Sequence, residues 1–257
     1  VKKIESSSEK LQKVLARAGI ASRREAERWI EQGRLKINGK QATIGDRVSD
    51  EDVIELDNKK LRLQPGETFV RKVLAYHKVE GEICSRRDPD GRPTVFDNLP
   101  RLKGERWIAI GRLDFNTTGL LLFTNDGELA HRLMHPSSGV DREYLVRVMG
   151  NIDDEMIARL KEGVELEDGL AKFTDVVEDK RTEEGSINKW FAVCVMEGKN
   201  RIVRRLWESQ DVTVSRLKRV RFGPIFLPAR LRQGKFLELS EKDIKNLLDA
   251  IKAPEEK

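Results

Sequence analysis

Four consecutive apolar residues, Leu120, Leu121, Leu122 and Phe123, constrain the fold of this chain more than any other stretch. They lie in GRLDFNTTGLLLFTND, Gly111 to Asp126, where Gly111, Asn116 and Gly119 punctuate the approach. A short apolar run closed off by turn residues reads as a buried strand. The loop ahead of it carries Arg112, Asp114, Thr117 and Thr118. A carboxylate on a loop pinned to a buried strand is held firmly and can still face a cleft, which makes Asp114 a candidate for chemistry. The same residue can instead serve only to cap a turn.

The residues before this stretch read as a small unit of their own. Ser8 is placed to cap a helix with Leu11, Val14, Leu15 and Ala18 on one face, ended by Gly19. Ser22 and Glu25 form a capping-box pattern for a second helix, which Gly33 stops. Asn38-Gly39 is a two-residue hairpin turn, and short β elements follow to about Leu56. Charge is segregated here. Glu9 to Lys40 holds nine basic and four acidic residues, whereas Gln41 to Lys60 holds three basic and six acidic. A one-sided basic surface is what phosphate binding needs. The expected organisation is a tail over 1–8, an RNA-binding module over 9–62, a linker over 63–71 around Pro65-Gly66, a second domain over 72–252 and a tail over 253–257.

In the second domain the pattern predicts a strand at Val73 to Tyr76 and a loop with Arg86, Arg87 and Arg92 that either touches RNA or is plain surface. A helix follows with Leu129, Leu133 and Met134 inward, stopped by Pro136. REYLVRVMG reads as a strand with Tyr144, Val146 and Val148 on one face. In MEGKNRIVRRLWESQ, Asn200 is placed to cap a helix. Ile202, Val203, Leu206 and Trp207 form its apolar side, and Arg201, Arg204, Arg205 and Glu208 lie opposite. Helix and antiparallel strand without regular βαβ alternation indicate an α+β fold.

Bulk properties narrow the function classes. The formal net charge of +5 on 257 residues suits a polyanionic partner, with the distribution mattering more than the sum. Cys84 and Cys194 stand far apart, so neither a disulfide framework nor a zinc site is expected. His77, His131 and His135 show no metal-ligand spacing. The sequence has no P-loop and no GxGxxG, no run approaches the roughly twenty apolar residues of a membrane span, and VKKIESSSEK lacks a signal peptide's apolar core. The expectation is a cytoplasmic chain without cofactor or metal.

Three of these stretches together carry a resemblance. GRLDxxTxGLLLxTNDG, REYLVRVMG and MEGKNRIVRRLWE resemble motifs of the rRNA pseudouridine synthases of the small-subunit-synthase type. The family usually has Pro where this chain has Val79, although the preceding Lys78 is kept. The resemblance implies a bent antiparallel sheet with helices and a cleft across it. It implies Asp114 as the catalytic carboxylate, Tyr144 stacked on the target uracil, and Arg204 paired with Asp114. Arg112, Lys199, Arg201 and Arg205, beside the motifs, are expected to contact RNA. SRREAERWIEQGRLKINGK resembles the small RNA-binding module first recognised in a small-subunit ribosomal protein, which implies RNA contacts at Ser22, Arg23, Arg24, Arg34, Lys36 and Lys40. The implied activity is conversion of a uridine to pseudouridine by a monomer. DPDGRPTVFD, HPSSGVDREY and INKWF…EGKNRIVRRLWE most resemble the family's large-subunit rRNA members, which implies a stem-loop of large-subunit (23S) rRNA as the substrate. Small-subunit rRNA, a neighbouring uridine, and a non-enzymatic RNA-binding role in ribosome assembly are the alternatives. A glycosidase would need a pair of carboxylates.

Overall fold

A two-residue hairpin turn of the type that matches strand twist needs positive φ at both positions. Asn38 and Gly39 supply it, at 51° and 81°. In this computed structural model, which describes residues 8–49, 51–61, 70–102, 105–180 and 186–251, that turn joins two strands of a small first unit. Residues 1–7 and 253–257 of the expected tails, most of the linker and the turn at 181–185 lie outside the described residues.

The first unit comprises Val1–Arg71 together with Pro100–Trp107. Its elements are β1 (Glu9–Lys10), α1 (Leu11–Arg17), α2 (Arg23–Glu31), β2 (Leu35–Ile37), β3 (Lys40–Gln41), β4 (Arg47–Val48), β5 (Ile54–Leu56) and β6 (Lys59–Lys60). The Ser22–Glu25 capping box forms, with Glu25 N donating to Ser22 Oγ at 3.1 Å. Leu11, Leu15, Ala26, Ile30, Leu35 and Ile54 make the core. Ser8 does not cap α1. Its Oγ accepts instead from Arg47 Nε at 3.0 Å, because β1, which follows Ser8 directly, pairs with β4, which begins at Arg47. A second difference concerns Pro100–Trp107, which groups with this unit and so interrupts the expected continuous domain over 72–252. The segment is tied by Trp107 Nε1, which donates to the Pro100 carbonyl at 2.7 Å. It also runs so close to Gly19 that a side chain there would stand 3.5 Å from the Glu105 carbonyl oxygen.

The second unit is built on a nine-stranded sheet. Its elements are β7 (Val73–Lys78), β8 (Ile108–Ile110), β9 (Thr118–Thr124), α3 (Gly127–Met134), β10 (Arg142–Met149), α4 (Asp154–Glu162), the hairpin β11 (Val164–Leu166) and β12 (Gly169–Ala171), β13 (Asp175–Glu178), β14 (Asn188–Val195), α5 (Ile202–Glu208), β15 (Thr213–Phe222), β16 (Ile225–Phe226), β17 (Phe236–Glu238) and α6 (Glu241–Asp249). The sheet order is β13-β14-β10-β15-β9-β7-β17, with β8 on β9 and β16 on β15. Leu120 to Phe123 are fully buried in β9, as the apolar run predicts. Burial of such a side chain stabilises by roughly 1.5–3 kcal/mol each.

The sheet is mixed and not purely antiparallel, because β9 and β15 run parallel at Thr118–Lys218 and Gly119–Arg219. Gly119 permits that approach. Its φ is 102°, and a Cβ would stand 2.7 Å from Arg219 N and closer still to the Arg219 carbonyl. One edge of β9 is taken by β7 along its length. The other edge is shared, β15 pairing near its start and β8 near its end. That division opens the sheet where the Gly111–Thr117 loop leaves β8.

Candidate active site

Local geometry exposes Asp114 and freezes the chain around it. Gly111 turns out of β8 with φ 80°, and the next turn is closed by Thr117 N donating to the Asp114 carbonyl at 3.0 Å. Four other carbonyls of this loop are held from outside. Cys84 Sγ lies 3.2 Å from the Leu113 oxygen. Lys78 Nζ donates to Thr117 O at 2.9 Å and Phe115 O at 3.3 Å, as well as to Val79 O at 3.0 Å. Arg204 Nη2 donates to Asn116 O at 3.1 Å, while its Nη1 holds Val214 O of β15 at 3.0 Å. The Asp114 carboxylate itself makes no hydrogen bond or ion pair among the described residues. It faces a cavity of about 430 Å³, into which Ala109 and Ile110 of β8, Tyr144 of β10, and Leu217 and Arg219 of β15 also project.

Two buried cations therefore brace one loop. Lys78 ends a wholly buried strand and is itself 0% exposed. Burial pushes its ammonium below the usual lysine range, against the opposing pull of Cys84, Glu82 and Asp114. Arg204 is also buried, not solvated as the helix pattern suggests. Burial and the neighbouring Arg201 lower it, and the Asp114 charge acts the other way. Arg204 thus feels the Asp114 charge, but the expected direct pairing is absent; its hydrogen bonds go to backbone carbonyls, as a clamp on the loop. Asn200 does not cap α5. Arg201 occupies that position in a left-handed conformation, φ 48°, without a side-chain cap. Met134 is not inward on α3. It is 41% exposed and lines the cavity.

Tyr144 is nearly buried on the same face of β10 as Val146 and Val148. Arg142, two residues before it, shares that face, and Arg219 stands directly opposite Tyr144 on β15. Both arginines line the cavity. The sequence pattern marks Lys78 only as a residue kept from the family and gives no site role to Lys78, Arg142 or Arg219. The period of two along REY was the available signal for Arg142, whereas Arg219 depends on strand register.

The cations expected to meet RNA divide by what already holds them. Beside the cavity, Arg112 is exposed, Lys199 pairs with Glu197 at 3.0 Å, Arg201 reaches Glu208 at 3.6 Å, and Arg205 engages both Asp168 oxygens at 2.8 and 2.9 Å. In the first unit Arg34 is engaged by Asp57 and lies over Trp29, and Lys36 Nζ donates to Asn58 at 2.8 Å. Ser22 is occupied as the helix cap. Arg23, Arg24 and Lys40 are exposed. Among the described residues no three His, Cys, Asp or Glu side chains stand together as a metal site, and no helix is long and apolar enough to cross a membrane.

Comparison with known proteins bears on this arrangement. Residues 9–54 match the S4 domain, and residues 72–223, which contain Asp114, Tyr144 and Arg204, match the family described as RNA pseudouridylate synthase. The ribosomal large subunit pseudouridine synthase B of Pseudomonas aeruginosa is 56% identical over 243 residues, 95% of this chain and 62% of that protein. The protein of that name from Vibrio vulnificus is 54% identical over 251 residues, 97% of this chain and 78% of its own length. The chain thus spans less than two thirds of the Pseudomonas relative. A solved pseudouridylate synthase superposes with a TM-score of 0.64 at 25% identity, covering 93% of this chain and 99% of that one. With the family match spanning the braced loop, the Tyr144 strand and the α5 clamp, this chain belongs to the RNA pseudouridylate synthase family.

Proposed function

We propose that this chain isomerises one uridine of a 23S rRNA stem-loop to pseudouridine, acting in the cytoplasm as a monomer during assembly of the large ribosomal subunit. The observation that carries the reading is the Asp114 carboxylate, free of protein partners among the described residues, at one cavity with Tyr144. The S4 domain, with Arg23, Arg24 and Lys40 exposed, supplies phosphate contacts that position the RNA without doing chemistry.

The reaction breaks the bond from ribose C1′ to uracil N1 and forms one from C1′ to C5. The C5 proton leaves and N1 gains one, so no atom is added or lost and no cofactor is called for. The target base must first leave its stack to reach a pocket of this kind. Tyr144 stacks on it, and its hydroxyl takes the C5 proton. Asp114 acts as the ionised carboxylate at the reacting ribose and base. Arg204 is a positioning residue. It fixes the Asn116 carbonyl two residues along and sets a positive charge near the carboxylate.

Asp114→Asn keeps the shape and removes the charge. Pseudouridine formation on a 23S stem-loop is expected to fall by at least ~100-fold, the scale of acid–base and nucleophilic contributions, with RNA affinity unchanged. A variant that keeps most of its turnover removes Asp114 from the reaction. Mapping pseudouridine in rRNA from cells with and without the protein separates large-subunit from small-subunit targets. Unaltered rRNA in both subunits would favour the non-enzymatic assembly role.

A further inference from the structure

The cavity wall holds two arginines that the chemistry above leaves unused. Arg142 is 8% exposed and Arg219 is 2% exposed. Arg142 Nη1 donates to Val140 O at 2.9 Å and Met196 O at 2.8 Å. Arg219 Nε donates to Leu120 O at 2.7 Å, and its Nη2 is buried with no hydrogen-bond partner. Both guanidiniums flank the ring of Phe222, 5.1 and 5.4 Å from its centroid. Neither forms an ion pair among the described residues. The carboxylates on either side of Arg142, Asp141 and Glu143, both pair with Arg221, each at 2.8 Å.

Two like charges buried together without a carboxylate are strongly unfavourable, and an unpaired donor adds to the cost. The other cavity cations with partners, Lys199 and Arg201, each have a glutamate. With Lys199 and Arg201 paired, Arg112, Arg142 and Arg219 carry +3 against −1 on Asp114, so the wall is short of negative charge. Uracil is neutral and cannot supply it. A phosphodiester carries one negative charge and presents oxygens that guanidinium groups match. The two arginines also bracket Tyr144, one two residues earlier on its strand and the other directly across. We propose that Arg142 and Arg219 are a buried phosphate clamp that grips the phosphodiester adjoining the target uridine while its base lies against Tyr144. The proposal rests on the RNA-modifying reading above.

The test uses the full chain and a stem-loop in which the linkage 5′ or 3′ to the mapped target uridine is a neutral methylphosphonate. Equilibrium binding and single-turnover conversion are both measured, for the wild type and for Arg219→Gln. With the wild type, one of the two neutral linkages is expected to weaken binding about 30-fold, the size of a lost charge-assisted hydrogen bond. Arg219→Gln is expected to show a similar loss on natural RNA and less than about 3-fold further loss on the neutral linkage, because the two changes remove one interaction. The wild-type arm needs no mutation, so a folding defect in the variant cannot hide the answer. Wild-type indifference to both neutral linkages overturns the clamp, as do losses that simply multiply. A wild type that binds with the expected coupling but forms no pseudouridine sinks the proposed reaction and leaves the clamp standing.

Discussion

Replacing Lys78 with Met is the most direct way to ask whether the Asp114 loop is held by its backbone. The methionine fills most of the same volume and loses all three hydrogen bonds. Of the acceptors, Phe115 O keeps a second donor, Gly81 N at 3.0 Å. Val79 O and Thr117 O, at 3.0 and 2.9 Å from Nζ, lose the lysine. A buried acceptor left unsatisfied costs about 1–3 kcal/mol, so two give roughly 2–6 kcal/mol. Removing the ammonium also relieves the desolvation that depresses it, so about 3 kcal/mol of net destabilisation is the expectation. That is a large fraction of the 5–15 kcal/mol typical of a domain. Urea denaturation reads the stability, and single-turnover conversion of a stem-loop reads the geometry. Turnover is expected to fall at least tenfold with RNA affinity unchanged, because Asp114 sits between the braced carbonyls. Lys78→Arg is not expected to rescue, since a planar guanidinium cannot aim at three carbonyls as a tetrahedral ammonium does. A Lys78→Met chain with stability within about 1 kcal/mol of wild type and full turnover would refute the reasoning.

Gly119→Ala is expected to cost about 3 kcal/mol or more, because the added carbon meets the Arg219 backbone at a φ of 102°; a denaturation midpoint equal to wild type would show that the parallel pair yields easily. Tyr76 donates to Glu82 Oε1 at 2.6 Å, and burial raises its phenol above the ordinary 10.0. The unfolded chain sheds that proton first, so the contribution is present below pH 10 and lost as pH climbs above it. Denaturation midpoints measured across that range should fall more steeply for wild type than for Tyr76→Phe, and parallel slopes would contradict this.

What could be read from the sequence was set by how far apart the interacting residues lie. The Ser22–Glu25 capping box, the Asn38-Gly39 turn and the buried run Leu120–Phe123 depend on neighbours within a few positions, and each forms. Ser8 fits a cap pattern equally well, but the β1–β4 pairing takes it to Arg47. Nothing near Ser8 in sequence signals that competition. The parallel register of Gly119 with Arg219 is likewise invisible locally, and with it the mixed character of the sheet. Arg204 shows the limit of a helical wheel. Its spacing with Arg201 and Arg205 puts it on the polar side, yet the groups that bury it are carbonyls of Asn116 and Val214.

The same distinction separates the parts of the candidate site. Asp114 could be found from its own loop, since turn residues and a buried strand on one side suffice to mark a held carboxylate. Its freedom from protein partners could not, because it follows from what the rest of the chain does to the loop. Lys78, Arg204 and Cys84 all engage main-chain oxygens and none engages the carboxylate. A salt bridge to Asp114 would fix the side chain more tightly, but it would also compete with substrate for the carboxylate oxygens. Holding the backbone instead fixes the carboxylate's origin and leaves those oxygens unpaired, with positive charge nearby. A buried lysine and a buried arginine, which look costly as isolated groups, are therefore the means by which this loop presents a carboxylate that is positioned but not already bonded.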